Sequence, residues 1–431
     1  MTESYLSHPL DDAASESLRA SGLRLALVDT ADDAAFDAWL SADARGFHDK
    51  RPSSAALAEQ RELLRHRRTT AVYDDAIPSA ADPVGTVNSW VAPLTVPGPR
   101  PIDAWLVSSV TVAPTHRRRG IASALLPAEL RTAHALGVPV AALTVSESTI
   151  YGRWGFGPST SASSWSIDTR RAGWAGPATP GRLSFTTPED FLETGRALLA
   201  RQNADRAGEV ALSPYLADRT MRAAEGATDA DRYRLVRYDG VGGEPEGFVT
   251  YTVAGDDSEF ANHTIDVIAL VATTDEANTA LWRYLLEMDL VSTVRANTRG
   301  VDEPLPWLVR DVRSAHVAGV QDHLWTRILD VTAALEARRY ESAGTLVLDV
   351  DDPLGFTGGR FRLDVGSDGE ARVRATDEEA DVRLSVGSLA SVYLGAPSAR
   401  GLAAAGRIEG DATALDRLFR TAVAPRLSSW F

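Results

Sequence analysis

The chain has 431 residues, 44% apolar and 24% charged, with a formal net charge of −15. Its length predicts roughly two to four soluble domains; the acidity excludes a general nucleic-acid or membrane-surface binder, and no apolar run is long enough to span a bilayer. With no cysteine, disulfides, zinc thiolate sites and a cysteine nucleophile are excluded. The polar, acidic opening MTESYLSHPLDDAASES lacks the basic and apolar parts of a signal peptide, so a cytoplasmic location is expected. Lys50 is the only lysine among 44 basic residues.

The first region runs to about residue 165. DAIPSAADPVG and APLTVPGPRPID read as loop-like stretches between apolar runs. AWLVSSVTVAP reads as a strand, bounded by Pro114. Trp105 and Val107 share one parity, Val110 and Val112 the other. The change of phase at Ser108-Ser109 fits a bulge, and equally a strand buried on both faces. GIASALLPAELRTAHALG has helical spacing through Ile121, Leu125, Leu126 and Leu130, ends at Gly137 and Pro139, and should be bent or weakened by Pro127. VPVAALTVS follows as a strand.

DTRRAGWAGPATPGR reads as a connector. The second region, to about residue 310, repeats the order. EGFVTYTVAG parallels VGTVNSWVAP, and HTIDVIALVATTDEANTALWRYLLEMDL gives strand, turn and helix. Its turn carries Asp275 and Glu276 where the first copy carries arginines, so an anion held by the first turn is repelled by the second. The second copy reads as degenerate. The third region opens with a helical pattern, VQDHLWTRILDVTAALEARRY, then shows short strands at GTLVLDV, RFRLDV, ARVRA and VRLSV and two closing helices. His316 and His323 lie seven apart, share a helix face at best and read as structural; no metal site is expected. The fold class predicted is mixed α+β.

The chemistry concentrates in VTVAPTHRRRGIASALL. A basic turn opening a helix is an anion site: the first N–H groups lack helical partners, the dipole is positive there, and glycine lets a ligand approach the backbone. The spacing Arg117-x-x-Gly120-x-Ala122 is neither a P-loop nor GxGxxG. It fits the Q/R-x-x-G-x-G/A signature of the GCN5-related N-acetyltransferases, whose loop wraps the pyrophosphate of acetyl-CoA.

The resemblance extends further. VAPTHRRRG, VAALTVSESTIYGRWGFGP, LWTRILDVTAALEARRY and SVYLGAPSARGLAAAGRIEG are similar to segments of the enhanced intracellular survival (Eis) family of acetyltransferases. That implies a catalytic acetyltransferase domain over 1–165, a degenerate second one over 166–310, and a sterol-carrier-protein-like domain over 311–431. It implies acetyl-CoA as co-substrate, cationic primary amines as acceptors, aminoglycosides at more than one position among them, and a homohexamer. By position, Val110, Thr111 and Val112 would present backbone to the pantetheine and acetyl carbonyl. Arg117, Arg118, Arg119, Gly120, Ile121, Ala122 and Ser123 would hold the pyrophosphate, and Ser146 and Glu147 would line the other side. Tyr151 matches the general acid; a tyrosine (pKa about 10) is protonated at neutral pH. The general base would be the C-terminal carboxylate, here of Phe431.

A terminus ending in Trp430-Phe431 is poorly suited to float in water, which fits docking. Better-known relatives carry an acid at the penultimate position, where this chain has Trp430. GFHDK aligns with the substrate-pocket segment, placing Phe47 and Asp49 there. Two other readings share the sequence: an acetyltransferase for protein lysines or small alkylamines, and a lipid-binding module with a spent acetyltransferase domain.

Overall fold

The structure, a computed structural model, describes residues 5–221, 232–255 and 261–431, without the side chains of residues 188 and 189. The Val- and Thr-rich runs of the first region form β1 (Arg24–Leu27), β2 (Arg68–Tyr73), β3 (Gly85–Val96), β4 (Arg100–Val112), β5 (Val140–Thr144) and β6 (Gly157–Pro158). A second set follows: β7 (Ser161–Asp168), β8 (Arg182–Thr186), β9 (Arg234–Asp239), β10 (Pro245–Ala254), β11 (His263–Ala272), β12 (Val291–Arg299), β13 (Ala315–Asp322) and β14 (Leu324–Ile328). The last set is β15 (Gly344–Asp351), β16 (Gly359–Val365), β17 (Ala371–Ala375), β18 (Val382–Ser385) and β19 (Ile408–Gly410). They build three sheets, ordered β1-β2-β3-β4-β5-β14-β6, β13-β7-β12-β11-β10-β9-β8 and β17-β16-β15-β18-β19.

Two expectations fail here. VQDHLWTRILD is not helical: residues 315–322 are an edge strand of the second sheet, and 324–328 an inner strand of the first, with only Val331–Ala337 forming a helix. All five residues of β14 are buried between β5 and β6, so tertiary pairing overrides the local helical spacing. The sheets therefore run past residue 310 before the third unit begins. APLTVPGPRPID is likewise no loop. Its two halves are the paired far ends of β3 and β4, and the β3 end also pairs across Leu94 with Val210.

Two helices frame the first sheet's working end. Asp33–Gly46 starts on Asp32, whose carboxylate accepts the N–H groups of Ala34 and Ala35. Its buried stripe is Phe36, Trp39 and Leu40, which Asp43 continues at helical spacing. Ile121–Ala135 buries Ile121, Leu125, Leu126 and Leu130, each contributing about 1.5–3 kcal/mol over exposure. Pro127 does not end this helix. The carbonyl it deprives of a partner is that of exposed Ser123, where water can substitute. Gly137 (φ 71°) closes the helix by donating to the His134 carbonyl at 2.9 Å.

The third unit joins the first through a fully buried ion pair, Arg327 to Asp352 at 2.6 Å, with Arg327 Nε also on the Trp154 carbonyl. Arg338, fully buried, lies over the rings of Tyr340 and Phe419, and one Nη donates to the Phe419 carbonyl at 2.8 Å. No helix among the described residues is long and apolar enough to cross a membrane.

Candidate functional site

Parallel β4 and β5 pair at only three rungs, Ala104 with Val140, Trp105 with Ala141 and Leu106 with Ala142. Beyond them the strands separate, and the edge of β4 from Val107 onward faces a gap. The register with β3 slips there: Thr86 pairs with Thr111 but Asn88 with Ser108, so Ser109 and Val110 together oppose Val87. This is a bulge at the predicted change of phase. Ser109 sits at φ 56°, unusual for a residue with a side chain, and is held by the Thr86 hydroxyl on its carbonyl at 2.8 Å and Asn88 on its Oγ at 3.2 Å. The strand before the bulge is also buried on both faces, from Ala104 to Val107, so both readings of its pattern describe it. The Thr111 side chain is buried on the Thr86 hydroxyl and against Gly46, leaving its backbone edge for the gap. Val110 and Val112 are partly buried.

The basic turn follows β4. Arg118 (φ 63°) and Gly120 (φ 80°) are both left-handed, and a Cβ on Gly120 would meet nothing within 4 Å. Gly120 is the N-cap of Ile121–Ala135 without a side-chain cap, so the first-turn N–H groups of Ile121, Ala122 and Ser123 are unclaimed by any side chain. The three arginines divide. Arg117 and Arg118 are exposed and form no ion pair among the described residues. Arg119 is spoken for: it binds Asp74 at 2.8 Å and the Ser21 carbonyl at 2.8 Å. Arg119, the Ala76 N–H and His116 hold the Asp74 carboxyl down at about 2. Ile121 is buried against Gly85 and can offer only its N–H.

Opposite lies the end of β5. Ser146 and Glu147 are exposed there, and Glu147 caps the short helix Ser148–Tyr151. Tyr151 is buried, edge-on to Trp154 and Phe156 at centroid distances of 6.5 and 6.1 Å. Its hydroxyl has no hydrogen-bond partner among the described residues. Burial, aided by the charge of Glu147, pushes it up to about 12, so it stays protonated at neutral pH.

The C-terminus reaches the same place. A Phe431 carboxylate oxygen accepts from the Thr144 hydroxyl, at the end of β5, at 3.0 Å. The Phe431 ring is edge-on to Trp90 of β3 at 5.5 Å. Trp430 is half exposed, edge-on to His323 at 4.3 Å. His323 is fully buried rather than on a helix face, while His316 lies on the exposed strand β13. Because the Ser429 carbonyl only accepts, the His323 Nε2 bonded to it at 2.9 Å carries the proton.

On the remaining side, Phe47 caps the helix Asp33–Gly46 and is exposed, as is Asp49. Sequence reasoning missed their neighbour Asp43. Its Oδ2 accepts from Ser109 Oγ at 3.2 Å, and its Oδ1 is buried without a partner. Burial pushes its carboxyl up to about 7, with the Ser109 hydrogen bond and the Arg67 charge opposing and Asp49 adding. Arg67 lies 3.6 Å over the Trp90 ring and donates to Asn88 at 3.2 Å. The signal for Asp43 was an acid on the apolar stripe of a helix.

The second sheet repeats the plan and closes it. Parallel β11 and β12 pair from His263 with Val291 to Val267 with Ala296, then part, and β11 slips register at Ile268. Here Arg299 fills the gap, donating to the Leu270 carbonyl at 2.8 Å and to Glu303 at 2.9 Å. Both partners are over 90% buried. The helix Asp275–Leu286 is capped by Thr274 and carries Asp275 and Glu276 in its first turn.

Known proteins share this arrangement. Acetyltransferase (GNAT) domain models match residues 28–159 and 215–329, and a sterol carrier protein domain model matches 331–428. The N-acetyltransferase Eis of Mycobacterium tuberculosis is 37% identical over 323 residues, 73% of this chain and 76% of that protein. The chain belongs to the Eis family of N-acetyltransferases. An uncharacterized N-acetyltransferase of Streptomyces avermitilis is 38% identical over 90% of this chain and 94% of its own length. The crystal structure of Eis1 from Mycobacterium abscessus superposes with a TM-score of 0.79 at 32% identity, covering 95% of this chain and all of that one. As an Eis-family enzyme it has two GNAT domains and a sterol-carrier-like third, and the GNAT domains imply use of acetyl-CoA. The gap, with a helix start that no side chain caps and two exposed arginines, fits that thioester's extended arm and phosphates.

Proposed function

We propose that this Eis-family enzyme acetylates primary amines, aminoglycosides at more than one position among them, in the gap between β4 and β5. Acetyl-CoA supplies an acetyl thioester. Arg117, Arg118 and the N–H groups of Ile121, Ala122 and Ser123 bind its pyrophosphate, with Gly120 permitting close approach and Arg119 bracing the loop through Asp74. The backbone of Val110, Thr111 and Val112 takes the pantetheine and acetyl carbonyl, and Ser146 and Glu147 line the far side. Phe47 and Asp49 border the acceptor, and Asp49 pairs its ammonium. The Phe431 carboxylate removes a proton from the ammonium, freeing the nitrogen to attack. The C–N bond forms and the C–S bond breaks, Tyr151 gives its proton to the departing sulfur, and the second proton lost by the nitrogen restores the tyrosine.

The observation that supports this reading is the hydrogen bond from Thr144, at the end of β5, to the terminal carboxylate. Residues appended after Phe431 move that carboxylate. The expected result is a fall in kcat of about 100-fold or more with acetyl-CoA affinity retained; a fully active C-terminally extended enzyme contradicts it. The acceptor class is read from thiol release with and without kanamycin, since a cysteine-free chain contributes no thiol of its own. A homohexamer and a cytoplasmic location belong to the same reading, and light scattering tests the former.

A further inference from the structure

The tail ending at Phe431 is gripped along its length by residues 206–209 and by Asp302. Arg206 donates to the Ala424 carbonyl at 2.8 and 3.0 Å, and Asp302 accepts the Ala424 N–H at 3.1 Å. The Arg426 N–H donates to the Ala207 carbonyl at 2.8 Å. Glu209 is the hub. It is fully buried, and both its oxygens serve the tail: Oε1 accepts from Arg426 Nε at 3.1 Å, and Oε2 accepts the Ser428 N–H and hydroxyl, each at 2.9 Å.

The hub is itself fixed to the catalytic sheet. The Gly208 N–H donates to the Thr95 carbonyl at 2.8 Å, the Thr95 N–H to the Glu209 carbonyl at 2.9 Å, and the Ala211 N–H to the Pro93 carbonyl at 2.9 Å. Gly208 adopts φ 92°, and a Cβ there would stand 2.8 Å from the Arg426 carbonyl oxygen. A carboxylate this deeply buried is kept only with its partners in place. Three residues separate Ser428 from the terminus, and they span about 10 Å at most. Fixing Ser428 therefore confines the terminal carboxylate to the neighbourhood of Thr144.

We propose that Glu209 is a positioning residue for acetyl transfer: it sets the register of the tail and so delivers the Phe431 carboxylate to the gap. The inference rests on the reading of that carboxylate as the base.

The test uses the full chain and its variants Glu209→Ala and Glu209→Gln, the chain lacking Phe431, and Glu209→Ala combined with that deletion. Two readouts are taken, amine-dependent thiol release and the rate at which carboxypeptidase A frees Phe431. For Glu209→Ala, kcat should fall about tenfold or more with KM for acetyl-CoA within about twofold, and Phe431 should be freed about tenfold faster. Glu209→Gln keeps the shape and still accepts from Ser428, so it should fall between, which covers the case that the alanine variant folds poorly. Without Phe431, Glu209→Ala should cost little further, because the terminal carboxylate, now that of Trp430, already stands one residue short of Thr144.

Unchanged kcat and unchanged protection in both Glu209 variants, in an enzyme crippled by loss of Phe431, overturn the proposal alone. An equal loss with and without Phe431 also overturns it, since that is a structural effect. Full activity without Phe431 overturns the base reading, and this inference with it.

Discussion

The two gaps come from one plan and end in opposite states. In both, a parallel strand pair parts after a few rungs and one strand slips register. The first gap is followed by a helix that starts on a left-handed glycine, with two exposed arginines beside it that form no ion pair among the described residues. The second is filled by Arg299 and Glu303, and its helix starts on two acids. The same scaffold thus keeps an anion site or abolishes it, according to which charges stand at the helix N-terminus and whether a side chain occupies the backbone edge. The second copy retains another contact, since Glu209 holds the C-terminal tail that the proposed mechanism uses.

Each side of this comparison can be stressed separately. Arg299→Ala should lower stability by about 3–5 kcal/mol, since Glu303 is left buried without its cation. Denaturant titration measures it, and acetyl-CoA stoichiometry should stay as it was, because the acidic turn still repels an anion. Tyr151→Phe keeps the ring among Trp154 and Phe156 but removes the hydroxyl; kcat should fall about 100-fold, with KM for acetyl-CoA and melting temperature near those of the parent. Steady-state thiol release decides it. Gly120→Ala adds a methyl where no protein atom lies within 4 Å, so folding pays only the left-handed strain of about 1–2 kcal/mol. Acetyl-CoA affinity should nonetheless drop about tenfold in calorimetric titration, since in the proposed site the methyl stands where the pyrophosphate approaches.

Asp43→Asn gives the smallest effect, and its sign depends on pH. The folded carboxyl is raised to about 7 by burial, so the native state holds a proton that the unfolded chain gives up above about pH 4. Stability therefore declines between about pH 4 and about pH 7 and levels off above, where the native state carries a buried carboxylate. The amide removes that cost. It should stabilise the protein by on the order of 1 kcal/mol at pH 8 and by little at pH 4, as melting curves at both values would record.

What the sequence disclosed was local. The change of phase between Val107 and Val110 announced the bulge, and the glycine after three arginines announced the helix start, because each is a short-range pattern with one physical cause. The misreading of VQDHLWTRILD has the opposite origin. Leu324–Ile328 is a strand only because β5 and β6 lie on either side of it, and helical spacing cannot report partners about 180 residues away in the chain. Glu209 was invisible for the same reason, its tail partners lying 217 and 219 residues on. Asp43 was within reach: an acid at the next helical step after Phe36, Trp39 and Leu40 marks a buried charge that something must stabilise.

The most direct measurement is the number of acetyl-CoA molecules bound per chain, by isothermal titration of the parent and of Gly120→Ala. The account predicts one site per chain, weakened by the substitution in the first gap. Two equivalent sites per chain, or one site indifferent to Gly120, would contradict it.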